Sequence, residues 1–260
     1  MGWIDTDVAE RVQGYLHVKA RAGRESLIVG GFTLYLPMGN ESGGVGLAVP
    51  NRSDSALNPS VLERIERIAA KRGHRLCFHW LDCYAPKLAE ALGITGYAVR
   101  ESTPLLVCEP GQVISPPTEP LEMVTVSADS PSEDVAENWN INAQGFDPTA
   151  TLAGPGDAED FRHILVKSRA FTARLNGVGV SAGMYTDIHN GVTELVGIAT
   201  LQEYRRRGFG GALTAFATRT AFADGATLAF LTAASEEASR VYKRVGYQPA
   251  GNLLLWAKRI

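Results

Sequence analysis

The run Val192-Thr-Glu-Leu-Val-Gly-Ile-Ala-Thr200 passes through Leu201-Gln-Glu-Tyr204 into Arg205-Arg-Arg-Gly208-Phe-Gly210-Gly211, and an alanine-rich stretch follows as far as Ala223. The spacing predicts a strand over 192–200, a glycine-rich turn, and a helix over 210–223. A glycine-rich turn at a helix start leaves several N–H groups unpaired at the positive end of the helix dipole, and no side chain blocks approach. That arrangement suits an anion, and three arginines reinforce it. The phosphate loop of nucleotide hydrolases would need Lys-Ser/Thr after its last glycine. The dinucleotide fingerprint would need three spaced glycines inside a parallel strand-helix-strand unit. Neither pattern is met here.

Working outward, a strand is expected over 227–232, a helix over 236–244 carrying Ala238 and Tyr242, then the pair Gly246-Tyr247 and a last strand over 253–257. Upstream, 121–126 reads as a strand. Ser130-Pro131 with Glu133 predicts a helix over 131–144, capped by the serine and starting on the proline. Strands 171–175 and 178–185 flank Asn176-Gly177, a strong two-residue hairpin signal.

The first half uses the same order of elements. A helix is expected over 5–20 from Val8, Val12, Tyr15, Leu16 and Ala20, with Gly23 as its stop. Short strands over 27–29, 32–36 and 45–49 are broken by Gly30-Gly31 and by the glycine-rich stretch 39–44. A helix over 61–71 follows, with Leu62, Ile65, Ile68 and Ala69 on one stripe, then a strand over 76–81, a helix over 85–92 and a strand over 99–108. The stretch 107–120 is the densest in proline and glycine and reads as a linker. The division expected is therefore a domain over 1–112, a linker over 113–120 and a domain over 121–260. Val45-Gly-Leu-Ala48 matches Val196-Gly-Ile-Ala199, and Gly96-Tyr97 matches Gly246-Tyr247, at offsets of 151 (196 − 45) and 150 (246 − 96). Both matches point to an internal duplication.

Composition narrows the function. The 260 residues are 45% hydrophobic and 20% charged, with a formal net charge of −3. Apolar runs fall far short of a membrane span, and the N-terminus lacks the basic start and apolar core of a secretory leader. No basic tract is long enough for broad binding to nucleic acid. Cys77, Cys83 and Cys108 cannot build a disulfide framework, so the cytoplasm is the expected compartment. His74, Cys77, His79 and Cys83 are all competent zinc ligands, but a strand through 75–81 accounts for them as ordinary half-buried residues, and no metal is expected.

Taken together, Arg205-x-x-Gly208-x-Gly210, the strand after its helix and the helix bearing Tyr242 before Gly246-Tyr247 resemble the GNAT superfamily of N-acetyltransferases across about 171–256. The resemblance implies an α+β fold of two tandem GNAT-like domains, each a mixed, mostly antiparallel twisted sheet flanked by helices. It also implies acetyl-CoA or another acyl-CoA as co-substrate, and the primary amine of a small molecule or peptide as acceptor.

The implied roles fall on particular positions. The backbone of Ile198, Ala199 and Thr200 would pair with the pantetheine amides and point one N–H at the thioester oxygen. Arg205, Arg206, Arg207, Gly208, Phe209, Gly210 and Gly211 would hold the pyrophosphate. Tyr242 would protonate the leaving thiolate, and Glu194, 11 residues before Arg205 (205 − 194), would serve as general base. Ser235 stands where the family often has Asn at the start of the tyrosine-bearing helix, and would cap that helix and touch the pantetheine. The acceptor would lie along 131–163, where Trp139, Asn140, Asn142, Phe146, Asp147 and Phe161 are candidates. In the first half the loop falls on Asp54-Ser-Ala-Leu57-Asn-Pro59 and Tyr242 falls on Leu92. That half is expected to be a degenerate copy. A reading from another class, a non-catalytic acyl-CoA sensor or assembly partner, requires binding without turnover.

Overall fold

The structure is a computed structural model that describes residues 5–38 and 44–259, the side chain of Pro155 apart. Most of the glycine-rich break expected over 39–44 lies outside the described residues. The chain forms two compact units, one of residues 1–105 with 250–260, the other of residues 106–249.

In the first unit, helix α1 (Thr6–Arg21) is followed by strands β1 (Arg24–Val29), β2 (Phe32–Pro37) and β3 (Val45–Pro50), then α2 (Pro59–Lys71), β4 (Arg75–Leu81), α3 (Leu88–Ile94) and β5 (Tyr97–Cys108). β1, β2 and β3 pair antiparallel, and β3 pairs with β4 in parallel. The core is built on Phe78, whose ring meets those of Phe32 and Tyr97 edge-on at 5.8 and 5.3 Å. Leu62, Ile65 and Ala69 of α2 are buried, as the stripe predicts.

The other strand beside β4 comes from the far end of the sequence. β11 (Gln248–Lys258) pairs with β4 antiparallel, from Leu253 opposite Leu81 to Ala257 opposite Cys77. Asn252 fixes that register: its backbone and side-chain N–H groups donate to the two carboxylate oxygens of Asp82 at 2.9 and 2.8 Å. The chain thus crosses between units twice, within β5 and within β11. This division differs from the linear one expected from the Pro-rich stretch, because strand pairing follows β-edges rather than chain order.

The second unit contains β6 (Glu122–Val126), α4 (Ser132–Phe146), α5 (Pro155–Ile164), β7 (Arg169–Leu175), β8 (Val178–Tyr185), β9 (Val192–Thr200), a short 3-10 turn (Gln202–Tyr204), α6 (Phe209–Ala223), β10 (Leu228–Thr232) and α7 (Glu236–Arg244). β6 to β9 pair antiparallel in sequence order, and β10 joins β9 in parallel. Asn176 and Gly177 have φ of 52° and 82°, so the expected hairpin closes on a type I′ turn.

One face of this sheet is covered by α6, whose alanines at 215, 217 and 221 are fully buried with Leu195, Leu213 and Val245. Val135 of α4 and Phe161 of α5 belong to a separate cluster with Val126 and Ala170. Helix α4 is also tied down by Asn138, whose amide donates to the Phe171 carbonyl at 2.8 Å and to Thr172 Oγ1 at 3.0 Å.

Two expectations are corrected here. Ser130 does not cap α4: its Oγ accepts from the Ser127 N–H at 2.9 Å, and Pro131 occupies the cap position. Helix α5 is not among the elements expected, because Gly154-Pro155-Gly156 reads as a turn and its apolar positions Ala158, Phe161 and Leu165 are few; its start is fixed by Asp157, which accepts from the Gly154 N–H at 2.9 Å.

From α5 to α7 the second unit runs helix, three strands, helix, strand, helix, the order that the first unit follows from α1 to α3, and this shared order bears out the tandem architecture. Gly96 and Gly246 follow α3 and α7 with φ of 85° and 107°, each before a fully buried tyrosine. The Val-Gly-Leu-Ala tetrad is a weaker match. Gly46 lies in the regular β3–β4 ladder opposite Leu76, whereas Gly197 has φ of 64° beyond the end of the β9–β10 pairing.

Because β11 supplies one neighbour of β4, removing residues 250–260 should abolish hydrogen-exchange protection across Arg75–Leu81 while β7 to β9 keep theirs. Loss of protection first in β7 to β9 would contradict the assignment of β11 to the first unit.

Candidate active site

The second unit opens a gap between parallel strands. β9 and β10 pair only through Val192–Leu228, Thr193–Ala229 and Glu194–Phe230, yet β9 runs on to Thr200. Its other edge stays paired with β8, from Leu195 opposite Tyr185 to Thr200 opposite Ser181. The edge from Leu195 to Thr200 that faced β10 is therefore available to an extended, amide-bearing partner.

β9 also carries a bulge. The β8–β9 register shifts between Ala182 and Met184, so Gly197 and Ile198 together face Gly183. The side chain of Ile198 lies over Gly183, where a Cβ would collide with it.

The gap leads to the glycine-rich turn. Gly208 occupies the N-cap of α6 with φ of 85°, and no side chain caps the helix. The Ala212 N–H donates to the Gly208 carbonyl at 3.0 Å, so the N–H groups of Phe209, Gly210 and Gly211 precede the first helical bond. A Cβ at Gly210 would come within 3.2 Å of Thr200 Oγ1, and one at Gly211 within 3.1 Å of Pro116. Backbone donors, the dipole end and the free β9 edge thus meet in one place, and they fit an anion joined to an extended amide chain.

The three arginines divide their work. Arg205 donates to the carbonyls of Thr200 at 3.1 Å and Gly145 at 2.6 Å, tying the end of β9 to the last turn of α4. Arg207 is paired with Glu119 at 2.7 Å and stacks over Phe209 with its guanidinium carbon 4.8 Å from the ring centre. Arg206 is exposed, has φ of 63°, and has no partner among the described residues.

The stretch expected to be a bare linker lies along this turn and the helices beside it. The Ile114 N–H donates to the Val245 carbonyl at 2.8 Å, Thr118 Oγ1 donates to the Arg207 carbonyl at 3.1 Å, and Arg219 reaches the Val113 carbonyl at 3.3 Å. Sequence reasoning missed this strap, because proline and glycine mark irregular backbone without saying whether it packs.

Tyr242 is buried in the cluster that contains Leu195 and Leu231, with Ile198 packed against it. Its ring lies 6.3 Å from that of Tyr247, and its hydroxyl has no partner among the described residues. Burial pushes its phenol above the ordinary value near 10, so it stays protonated at neutral pH. Glu194 is buried on β9, and Ser235 caps α7 by accepting from the Ala238 N–H at 3.1 Å. Of the acceptor candidates, Trp139 and Phe161 pack on each other at 5.4 Å, Asn140 Oδ1 accepts from the Ala153 N–H at 2.7 Å, and Asp147 caps its own turn through Thr149. Phe146 is 64% exposed. Asn142 reaches the Gly197 carbonyl.

The corresponding places in the first unit are filled by its own side chains. The β3–β4 pairing ends at Ala48 and Phe78, and there Gln13 donates to the Pro50 carbonyl at 3.3 Å and accepts from the Leu81 N–H at 3.1 Å. At the start of α2, Pro59 has no N–H to offer, and Asn58 accepts from the Val61 N–H at 3.0 Å. The His/Cys stretch does not gather either: among the described residues no three His, Cys, Asp or Glu side chains could hold a metal ion, and Cys83 donates to the Ala250 carbonyl. No helix among the described residues is long and apolar enough to cross a membrane.

Residues 137–247 match the acetyltransferase (GNAT) family. The second unit is thereby a GNAT-family domain, with the acyltransferase fold, and the chain as a whole has the α+β architecture of two tandem GNAT-like domains. A GCN5-related N-acetyltransferase from Kribbella flavida is 27% identical, with a TM-score of 0.74 over 97% of this chain and 96% of its own. A tandem GNAT protein from the clavulanic acid biosynthesis pathway is 13% identical, with a TM-score of 0.61 over 86% and 77% of the two chains. A GCN5-related N-acetyltransferase from Sphaerobacter thermophilus is 15% identical, with a TM-score of 0.58 over 96% and 89%. The last two share the fold. No curated protein matches the sequence.

Tyr242, Tyr247 and Tyr185 all have phenols raised by burial. A phenol raised in the folded state binds a proton that the unfolded chain has already lost, so its contribution to stability falls as pH rises past the unfolded value of about 10. The urea midpoint should therefore drop above that pH, and drop less steeply in Tyr242→Phe. Parallel pH curves for the two proteins would show that Tyr242 titrates normally.

Proposed function

We propose that the second unit transfers an acetyl or other short acyl group from acyl-CoA to a primary amine of a small molecule or peptide, by direct attack. The observation that carries this reading is the unpaired β9 edge running into an uncapped, glycine-lined helix start. The edge suits the two amides of pantetheine, and the N–H groups of Phe209, Gly210 and Gly211, with Arg206 beside them, suit the pyrophosphate. Ser235 stands at the start of α7 to meet the pantetheine from the other strand. The thioester would then lie beside the bulge at Gly197 and Ile198.

The acceptor must lose a proton before its nitrogen can attack, and the Glu194 carboxylate takes that proton directly or through water. The new C–N bond forms as the C–S bond breaks, Tyr242 gives its proton to the departing thiolate, and the second proton shed by the nitrogen as it becomes an amide returns through solvent to the Tyr242 phenolate. Burial keeps the Tyr242 phenol protonated at neutral pH, so it has a proton to give as the thiolate departs. The first unit is then a structural copy that binds no acyl-CoA. Gln13 and Asn58 already satisfy there the backbone groups that the second unit leaves open.

Three outcomes follow. Gly208→Val should weaken acetyl-CoA binding by about 2 kcal/mol or more if two charge-assisted bonds are lost; calorimetry giving wild-type affinity in the folded variant would remove the loop from the site. Tyr242→Phe should lower turnover roughly 10²- to 10⁴-fold with acetyl-CoA affinity nearly intact, read by thiol release on a pool of amines. A wild-type rate would return the tyrosine to a packing role, and wild-type protein that binds acetyl-CoA without turnover on any amine would make the protein a sensor. Titration of the intact chain should reach one acetyl-CoA per chain, and two would refute the silent first unit.

A further inference from the structure

The bulge in β9 is held from α4 by one side chain. The Asn142 carboxamide nitrogen donates to the Gly197 carbonyl, and a Cβ at Gly197 would lie 2.7 Å from that same nitrogen. With φ of 64°, Gly197 takes a backbone shape that other residues resist, and the missing side chain is what lets Asn142 reach the carbonyl.

The consequence lies in the next atom pair. A trans peptide is planar, with C=O and N–H pointing in opposite directions. A Gly197 carbonyl drawn toward α4 sends the Ile198 N–H away from α4. Ile198 is itself fixed, since its side chain lies over Gly183 and beside Leu213 of α6. Arg205, holding the Gly145 carbonyl one turn further along α4, keeps that helix against the end of β9.

We infer that Asn142 is a positioning residue that sets the Gly197–Ile198 peptide plane so that the Ile198 N–H polarises the thioester carbonyl. The inference rests on the acyl-transfer reading. It takes Asn142 out of the acceptor-lining set and gives it a role in activating the acyl group. The Ile198 N–H is aimed before the acyl group arrives, so no reorganisation is needed during reaction.

The test uses the full-length protein with acetyl-CoA labelled with ¹³C at the thioester carbonyl. Infrared difference spectra of the wild type should show the bound carbonyl band displaced to lower wavenumber than in free acetyl-CoA. Asn142→Leu removes the donor, and Asn142→Asp keeps the shape while replacing the amide by a carboxylate that cannot donate. In both, the band should move back toward the free value, and turnover on a mixed amine pool should fall by up to roughly 10²-fold, the scale of one lost oxyanion donor. Acetyl-CoA affinity by calorimetry should stay close to the wild type, because the loop carries it. A wild-type band in both variants, or a wild-type band no different from free acetyl-CoA, overturns the role of Asn142 and leaves the acyl-transfer reading standing. A wild type that fails to bind acetyl-CoA overturns that reading and the inference together.

Discussion

Two parallel strands that part company leave a row of peptide groups without a strand partner, and in this protein the parting of β9 from β10 after Glu194 and Phe230 organises the second unit. Buried backbone donors and acceptors have to be satisfied by something. In the second unit the open edge runs into a helix start with no side-chain cap, so two kinds of unmet backbone demand lie end to end. One suits amides and the other suits an anion. Acyl-CoA carries both in that order, and the proposed acyl-CoA site rests on that correspondence.

The first unit shows how the same fold behaves when that demand is met internally. Gln13 spans the gap beyond the β3–β4 pairing with one hydrogen bond to each strand, and Asn58 and Pro59 close the helix start that matches Gly208 and Phe209. The comparison explains what glycine contributes at 208, 210 and 211: it withholds the side chains that would otherwise satisfy or cover those N–H groups.

Most of the charge in the arginine cluster is engaged by the protein itself. Arg205 and Arg207 are engaged by carbonyls and by Glu119, and only Arg206 projects without a partner among the described residues. The strap over 113–119 that supplies Thr118 and Glu119 makes the turn a packed feature of the second unit. A loop assembled in this way has its N–H groups fixed in advance, which lowers the ordering that the proposed anion site would require.

Much of this was legible in the sequence. Periodicity and turn residues gave nearly every strand and helix, because the apolar stripe of α2, the Asn176-Gly177 turn and the glycine-rich start of α6 act over a few neighbouring residues. The arginine-glycine pattern and Tyr242 likewise carry the resemblance to the GNAT family, which the match over 137–247 supports. What the sequence left undecided depends on groups distant along the chain. The pairing of β11 with β4, the packing of the Pro-rich strap, the plug formed by Gln13 and the grip of Asn142 on Gly197 join residues separated by tens to well over a hundred positions. A side-chain amide facing a carbonyl has no signature in its own neighbourhood, and only the tertiary structure decides which carbonyl it meets.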